Sequence, residues 1–160
     1  MKDSKLIDLL RTLSPKEFRD LEKFILSPYF RKRDVSGLFN VLKKFYPDFN
    51  DVNLNSEFVF NKLYPGKTFD KKKAEGLIRT ISSDFVSACK DYFIQIELEE
   101  QSSFRDFLLL NQLRKRKLYG NFKKEFITAI SDDPDSEKEL AIRFIEKSFL
   151  YNSAIEYYID

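Results

Sequence analysis

The chain has 160 residues, enough for one domain or two very small ones. Hydrophobic residues make up 42% and charged residues 34%, which supplies a core and a solvated surface together and excludes intrinsic disorder. The net charge of +2 is too small to draw the chain onto nucleic acid or membrane by bulk electrostatics.

Further exclusions follow from single residue types. With only 4 Gly and 5 Pro, a turn-rich β-sandwich or barrel lacks its punctuation. Histidine is absent and Cys89 is the one cysteine, so the commonest general base, the commonest metal ligand and every internal disulfide are missing together. No apolar run reaches the roughly 18 residues of a membrane span. The start lacks the apolar stretch of a secretory signal, and the expectation is a cytoplasmic protein that needs no cofactor or metal. The 17 Phe and 8 Tyr read first as core, with some surplus for a partner surface.

In chain order, Leu6, Ile7, Leu10 and Leu13 recur at helical spacing. Ser14-Pro15-Lys16-Glu17 then reads as a capping box with proline at the first helical position. The helix that follows carries Phe18, Leu21, Phe24 and Ile25 and stops at Ser27-Pro28. A third helix from about Val35, capped by Asp34, carries Leu38, Phe39, Leu42 and Phe45 and ends at Tyr46-Pro47. Ser56 is expected to cap a short helix with Phe58, Val59, Phe60 and Leu63, closed by Tyr64-Pro65-Gly66.

After Asp70 a 3.6-residue period runs from Ala74 through Leu77, Ile78, Ile81, Phe85, Ala88, Cys89, Tyr92 and Phe93 to Ile96, the longest element. Gly76 is its weak link, and its bare backbone suggests a closely approaching helix. Phe104, Phe107, Leu108 and Leu113 stripe the next helix, which ends in Arg114–Lys117, cations that suit a helix C-terminus. Gly120-Asn121 is expected to break the chain before a helix bearing Phe122, Phe126, Ile127 and Ile130. After a turn at Asp132–Asp135, Ser136 caps a last helix running through Phe144, Phe149, Leu150, Ile155 and Tyr158.

The expected fold is all-α: a multi-helix bundle of about eight helices. Residues 1–100 form an N-terminal bundle, and 101–160 a helical-hairpin, repeat-like segment packed on it. The last helix is apolar on more than one side, so Phe149, Leu150, Ile155, Tyr157 and Tyr158 are candidate interface residues. They would meet either a longer parent protein or a second copy in a homodimer.

Two resemblances rest on particular strings. Ser27-Pro28-Tyr29-Phe30, Leu63-Tyr64-Pro65-Gly66-Lys67 and the Leu113–Arg116 segment resemble a family of uncharacterised bacterial helical proteins, over the chain to about residue 132. That resemblance implies a helical fold and further helices beyond; it carries no activity and no site residues. Leu118 through Pro134 is similar to the latter half of a tetratricopeptide repeat, which implies a helical hairpin followed by another helix.

The chemical constellations are sparse. Pro65-Gly66-Lys67-Thr68 lacks the first glycine and the preceding strand of a phosphate loop. Asp132, Asp133 and Asp135 lack the glycine and terminal glutamate of a calcium loop. Cys89 falls in an apolar stripe and reads as a buried structural thiol. The expected function is therefore a non-catalytic intracellular protein-interaction or scaffold module. The alternative is a helix-turn-helix-like DNA-binding protein using residues 56–85, with Lys67, Lys71, Lys72, Lys73 and Arg79 on the nucleic acid. Residues 1–73 hold 16 Lys and Arg against 10 Asp and Glu, and Arg31-Lys32-Arg33 adds a second basic cluster.

Overall fold

The computed structural model describes residues 4–28, 34–131, 147–148, 151–152 and 155. Among these the chain is all helical, with seven α-helices and no strand. They are α1 (Lys5–Arg11), α2 (Pro15–Leu26), α3 (Ser36–Leu42), α4 (Ser56–Leu63), α5 (Lys71–Glu100), α6 (Ser102–Lys115) and α7 (Tyr119–Ser131), with a short 3-10 turn at Lys43–Phe45 after α3. The expected eighth helix lies mostly outside the described residues; those described within it are helical.

The chain divides into two compact units, Met1–Ile94 and Gln95–Asp160. In the first, the apolar positions chosen by helical period form one core. Leu6, Ile7, Leu10, Leu21, Leu38, Leu42, Val59, Ala74, Phe85 and Cys89 are all essentially without solvent contact. Each fully buried Leu, Ile or Phe contributes roughly 1.5–3 kcal/mol of transfer free energy against the entropy of ordering the chain. Aromatic rings link the helices: Phe18 lies between Phe39 at 5.0 Å and Tyr46 at 4.1 Å, and Phe39 reaches Phe85 on α5 at 6.1 Å. Half-buried Tyr46 and buried Tyr92 satisfy their hydroxyls on backbone carbonyls. Tyr46 Oη donates to Leu13 O at 2.8 Å, and Tyr92 Oη donates to Glu17 O at 3.1 Å.

Local chemistry sets the helix ends. Ser14 Oγ accepts from Glu17 N–H while Glu17 Oε2 accepts from Ser14 N–H, the full capping box with Pro15 at the first position. At α4 the cap is Asn55, whose Oδ1 accepts from Phe58 N–H at 2.9 Å, one residue before the expected Ser56. Both types can cap; the amide reaches the third helical N–H and moves the start by one. Asp34 accepts from Ser36 N–H but sits one residue outside the helix, where Val35 is the N-cap.

Tyr64-Pro65-Gly66-Lys67 forms a type II turn. Pro65 holds its second position, Gly66 takes φ 85° at the third, and Lys67 N–H donates to Tyr64 O at 3.2 Å. This accounts physically for the Leu-Tyr-Pro-Gly-Lys string. Gly37 is the close-approach glycine of this unit: a Cβ there would lie 3.3 Å from Leu63 Cδ2, where α3 meets α4. Gly76, by contrast, faces open space, which overturns its expected role as a contact point. Leu77 beside it is 45% exposed although the period assigned it to the core. The apolar stripe drifts around so long a helix, and the core covers only part of it.

In the second unit α6 and α7 form a hairpin around Leu110 and Phe122, with Phe107, Leu113, Phe126 and Ala129 packed on that pair. Gly120 and Asn121 lie inside the first turn of α7, contrary to the expected break. The chain reverses at Lys117, two residues before α7 begins. Lys117 adopts φ 57°, with Lys117 N–H on Arg114 O and Leu118 N–H on Leu113 O, the bond pattern of a Schellman cap. A lysine occupies the position where glycine is usual, so composition gave no warning of it.

Candidate functional site

A broad concavity belongs to the first unit. It encloses 650 Å³ and runs beside α5, walled by the start of α1 (Ser4, Lys5, Leu6) and by Ser56 of α4. Residues Glu75, Ile78, Arg79, Ser82, Ser83, Val86, Ser87 and Lys90 of α5 complete it. These α5 positions recur every three or four residues, so they form one stripe along the helix, next to the buried stripe of Ala74, Ile78, Phe85 and Cys89.

Its composition is layered. Leu6 and Ile78 are buried and Val86 half-buried, which makes a narrow apolar floor. Three short hydroxyls, Ser82, Ser83 and Ser87, stand along the α5 wall. Lys5, Arg79 and Lys90 are exposed cations on the rim, facing one carboxylate in the lining, Glu75. The net positive potential of a concave surface raises the local concentration of anionic groups.

The sequence-derived candidates are only partly brought together. Arg79 lines the groove, and Lys72, two turns earlier on α5, lies on the same side by helical geometry. Lys71, Lys72 and Lys73 are exposed in the first turn of α5, where Asp70 Oδ1 accepts from Lys73 N–H at 3.0 Å. That carboxylate offsets the misfit of cations at the positive end of a helix. Lys67 is exposed in the turn, its Nζ 5.1 Å from the Tyr64 ring centroid. Between α4 and α5 lie seven residues, Tyr64 to Asp70, against the three or four or so of a compact helix-turn-helix. Ile155 is 56% exposed; Phe149, Leu150, Tyr157 and Tyr158 lie outside the described residues, as does Arg31-Lys32-Arg33.

Lys5, Lys90 and the three serines were not singled out from sequence. The α5 members were legible as a polar stripe one step around from the apolar one. Lys5 was not, because only the tertiary fold brings the start of α1 to the groove beside α5.

A second concavity of 500 Å³ lies over Phe45 and Phe58, rimmed by Asp51, Asn53, Asn55, Glu57 and Asn61. Its polar groups are partly committed locally: Asn55 Oδ1 to the α4 cap and Asp51 Oδ1 to Asn53 N–H at 2.8 Å. Cys89 has no solvent contact, and burial pushes its thiol up to about 12. A thiol so placed stays protonated and inert, as its place in the apolar stripe suggested. Among the described residues no helix is long and apolar enough to cross a membrane. Compared with family models, curated proteins and solved structures, the chain finds no match in any of the three.

Proposed function

We propose that this chain is a non-catalytic protein-interaction module working in the cytoplasm, and that the groove beside α5 is where its partner sits. The observation that carries the reading is the groove itself. It is a 650 Å³ concavity along one face of a 30-residue helix, with an apolar floor and a cationic, hydroxyl-rich rim. Apolar floor beneath polar rim is the usual anatomy of a protein contact surface.

The test is photo-crosslinking in the source cell, with benzoylphenylalanine placed at Ser83 in the groove and, as control, at Leu77 on the opposite side of α5. The expected result is a protein adduct from Ser83 that Leu77 does not give. Adducts to nucleic acid alone, or no difference between the positions, would remove the reading.

The second reading, a helix-turn-helix-like DNA-binding protein, draws support from the exposed Lys67, Lys71, Lys72 and Lys73 around the start of α5, with Arg79 farther along. It requires duplex binding that weakens steeply with salt and is reduced by replacing Lys71, Lys72 and Arg79 with Ala. Self-association through the last helix, supported by exposed Ile155, requires a dimer by light scattering that Ile155→Ser dissociates.

A further inference from the structure

We infer that the occupant of the groove beside α5 is an acidic amphipathic helix of the partner protein, lying along α5 with carboxylates against Arg79 and Lys90. The inference rests on the interaction reading above and adds the partner's chemistry to it.

Length and shape come first. From Glu75 to Lys90 the α5 wall covers fifteen residue steps, about 22 Å at about 1.5 Å each. That is four turns, the span of a partner helix of about the same number of residues. The side chains in the middle of the wall are short: Ser82, Ser83, Val86 and Ser87. Short side chains along a helix face let a second helix approach toward the near end of the roughly 8–10 Å range of interaxial distances. The apolar part of the lining is limited to Leu6, Ile78 and Val86, which suits a single apolar stripe on the incoming helix.

Charge then selects the partner's sign. Most cations with mapped partners in this unit serve the fold: Arg11 bonds Asp48 O and Asn50, Lys23 pairs with Asp20, and Lys43 with Glu22. Lys5, Arg79 and Lys90, like several other exposed cations of this unit, have no such partner among the described residues; what sets these three apart is that all line the groove. Arg79 and Lys90 are eleven residues apart, close to three whole turns, so both face the groove. Acidic residues about three turns apart on the partner helix meet both. Glu75, one turn before Arg79, is the one carboxylate among the described lining residues and favours a basic residue at that end of the partner. The order of charges therefore sets the charge pattern along the partner helix, basic beside Glu75 and acidic toward Lys90, the way charged flanks select paired helices.

The test uses fluorescein-labelled synthetic helical peptides of about four turns. One carries leucines on a single face flanked by Glu, the second has the same residues scrambled, and the third has Glu replaced by Lys. Binding to the full chain is read by anisotropy, and the site by amide shifts of Ser82–Ser87. The ordered acidic peptide is expected to bind and to shift those amides. Its affinity should fall about tenfold or more on scrambling, and likewise in the Arg79→Glu, Lys90→Glu double variant, whose helix content is checked by circular dichroism. The double variant should in turn favour the Lys peptide.

Equal binding of ordered and scrambled peptides, preference of the unmodified chain for the Lys peptide, or no binding by the acidic helix overturns the inference. A protein adduct at Ser83 that maps to a neutral, basic or extended segment overturns it too, while leaving the interaction reading intact. Absence of any protein adduct takes both down.

Discussion

Two glycines in helices of the same unit should respond oppositely to the same added methyl group. Gly76 is the sixth residue of α5, exposed, with no atom within 4 Å of where a Cβ would stand. Gly76→Ala therefore gains the helix-propensity difference, about 0.8–1.0 kcal/mol, with nothing to offset it. Gly37 is the second residue of α3, and its added Cβ would lie 3.3 Å from Leu63 Cδ2. Optimal carbon contacts are about 3.5–4.0 Å, so Leu63, half-buried on α4, must yield by a few tenths of an ångström. Strain of that kind in a packed contact costs roughly 1 kcal/mol or more and cancels the propensity gain. The expected outcome is a Tm raised by about 4 °C for Gly76→Ala and unchanged or lowered for Gly37→Ala. Thermal and urea unfolding, followed by circular dichroism and tyrosine fluorescence, measure both. Equal stabilisation by the two substitutions would refute the close approach of α3 to α4. Destabilisation by Gly76→Ala would show that its face is covered.

Lys117→Gly should stabilise the α6–α7 hairpin by about 0.5–1 kcal/mol, because it relieves a left-handed residue while keeping the Schellman bonds; amide exchange of Leu110 and Phe122 reads this locally. Ser14→Ala should cost about 1 kcal/mol in urea unfolding by removing the α2 cap. Ser14 also holds the Glu17 carboxyl below its usual range, so that part of the stability is present above pH ~4.3 and lost as pH falls through the lowered value; the pH dependence should flatten in Ser14→Ala. For Cys89 the sign reverses. The folded thiol stays protonated up to about 12 while the unfolded one ionises near pH ~8.5, so stability falls between those values by up to about 1.4 kcal/mol per pH unit. The difference in slope between the unmodified chain and Cys89→Ala isolates this effect, and equal slopes would refute it.

The all-helical fold was legible because its signals are local. A capping box at Ser14–Glu17, Pro28 and Pro65 as stops, and a period of 3.6 from Ala74 to Ile96 each act within a few turns of chain. Period also named most of the core, from Leu6 to Tyr92, since a helix has one face to bury. It failed at Leu77, where which part of a long stripe is covered depends on what lies opposite. It failed too at Gly120, because the reversal was made by a lysine in the left-handed region two residues outside the new helix.

The candidate site divides along the same line. Arg79 was visible on α5, and Ser82, Ser83, Ser87 and Lys90 share its face by spacing alone. That this face borders a groove, and that Lys5 completes its rim from some seventy residues away, depended on α1 and α4 docking beside α5. The sequence determines which residues a helix turns the same way; only the packed helices decide which of those faces becomes a surface that something else can fill.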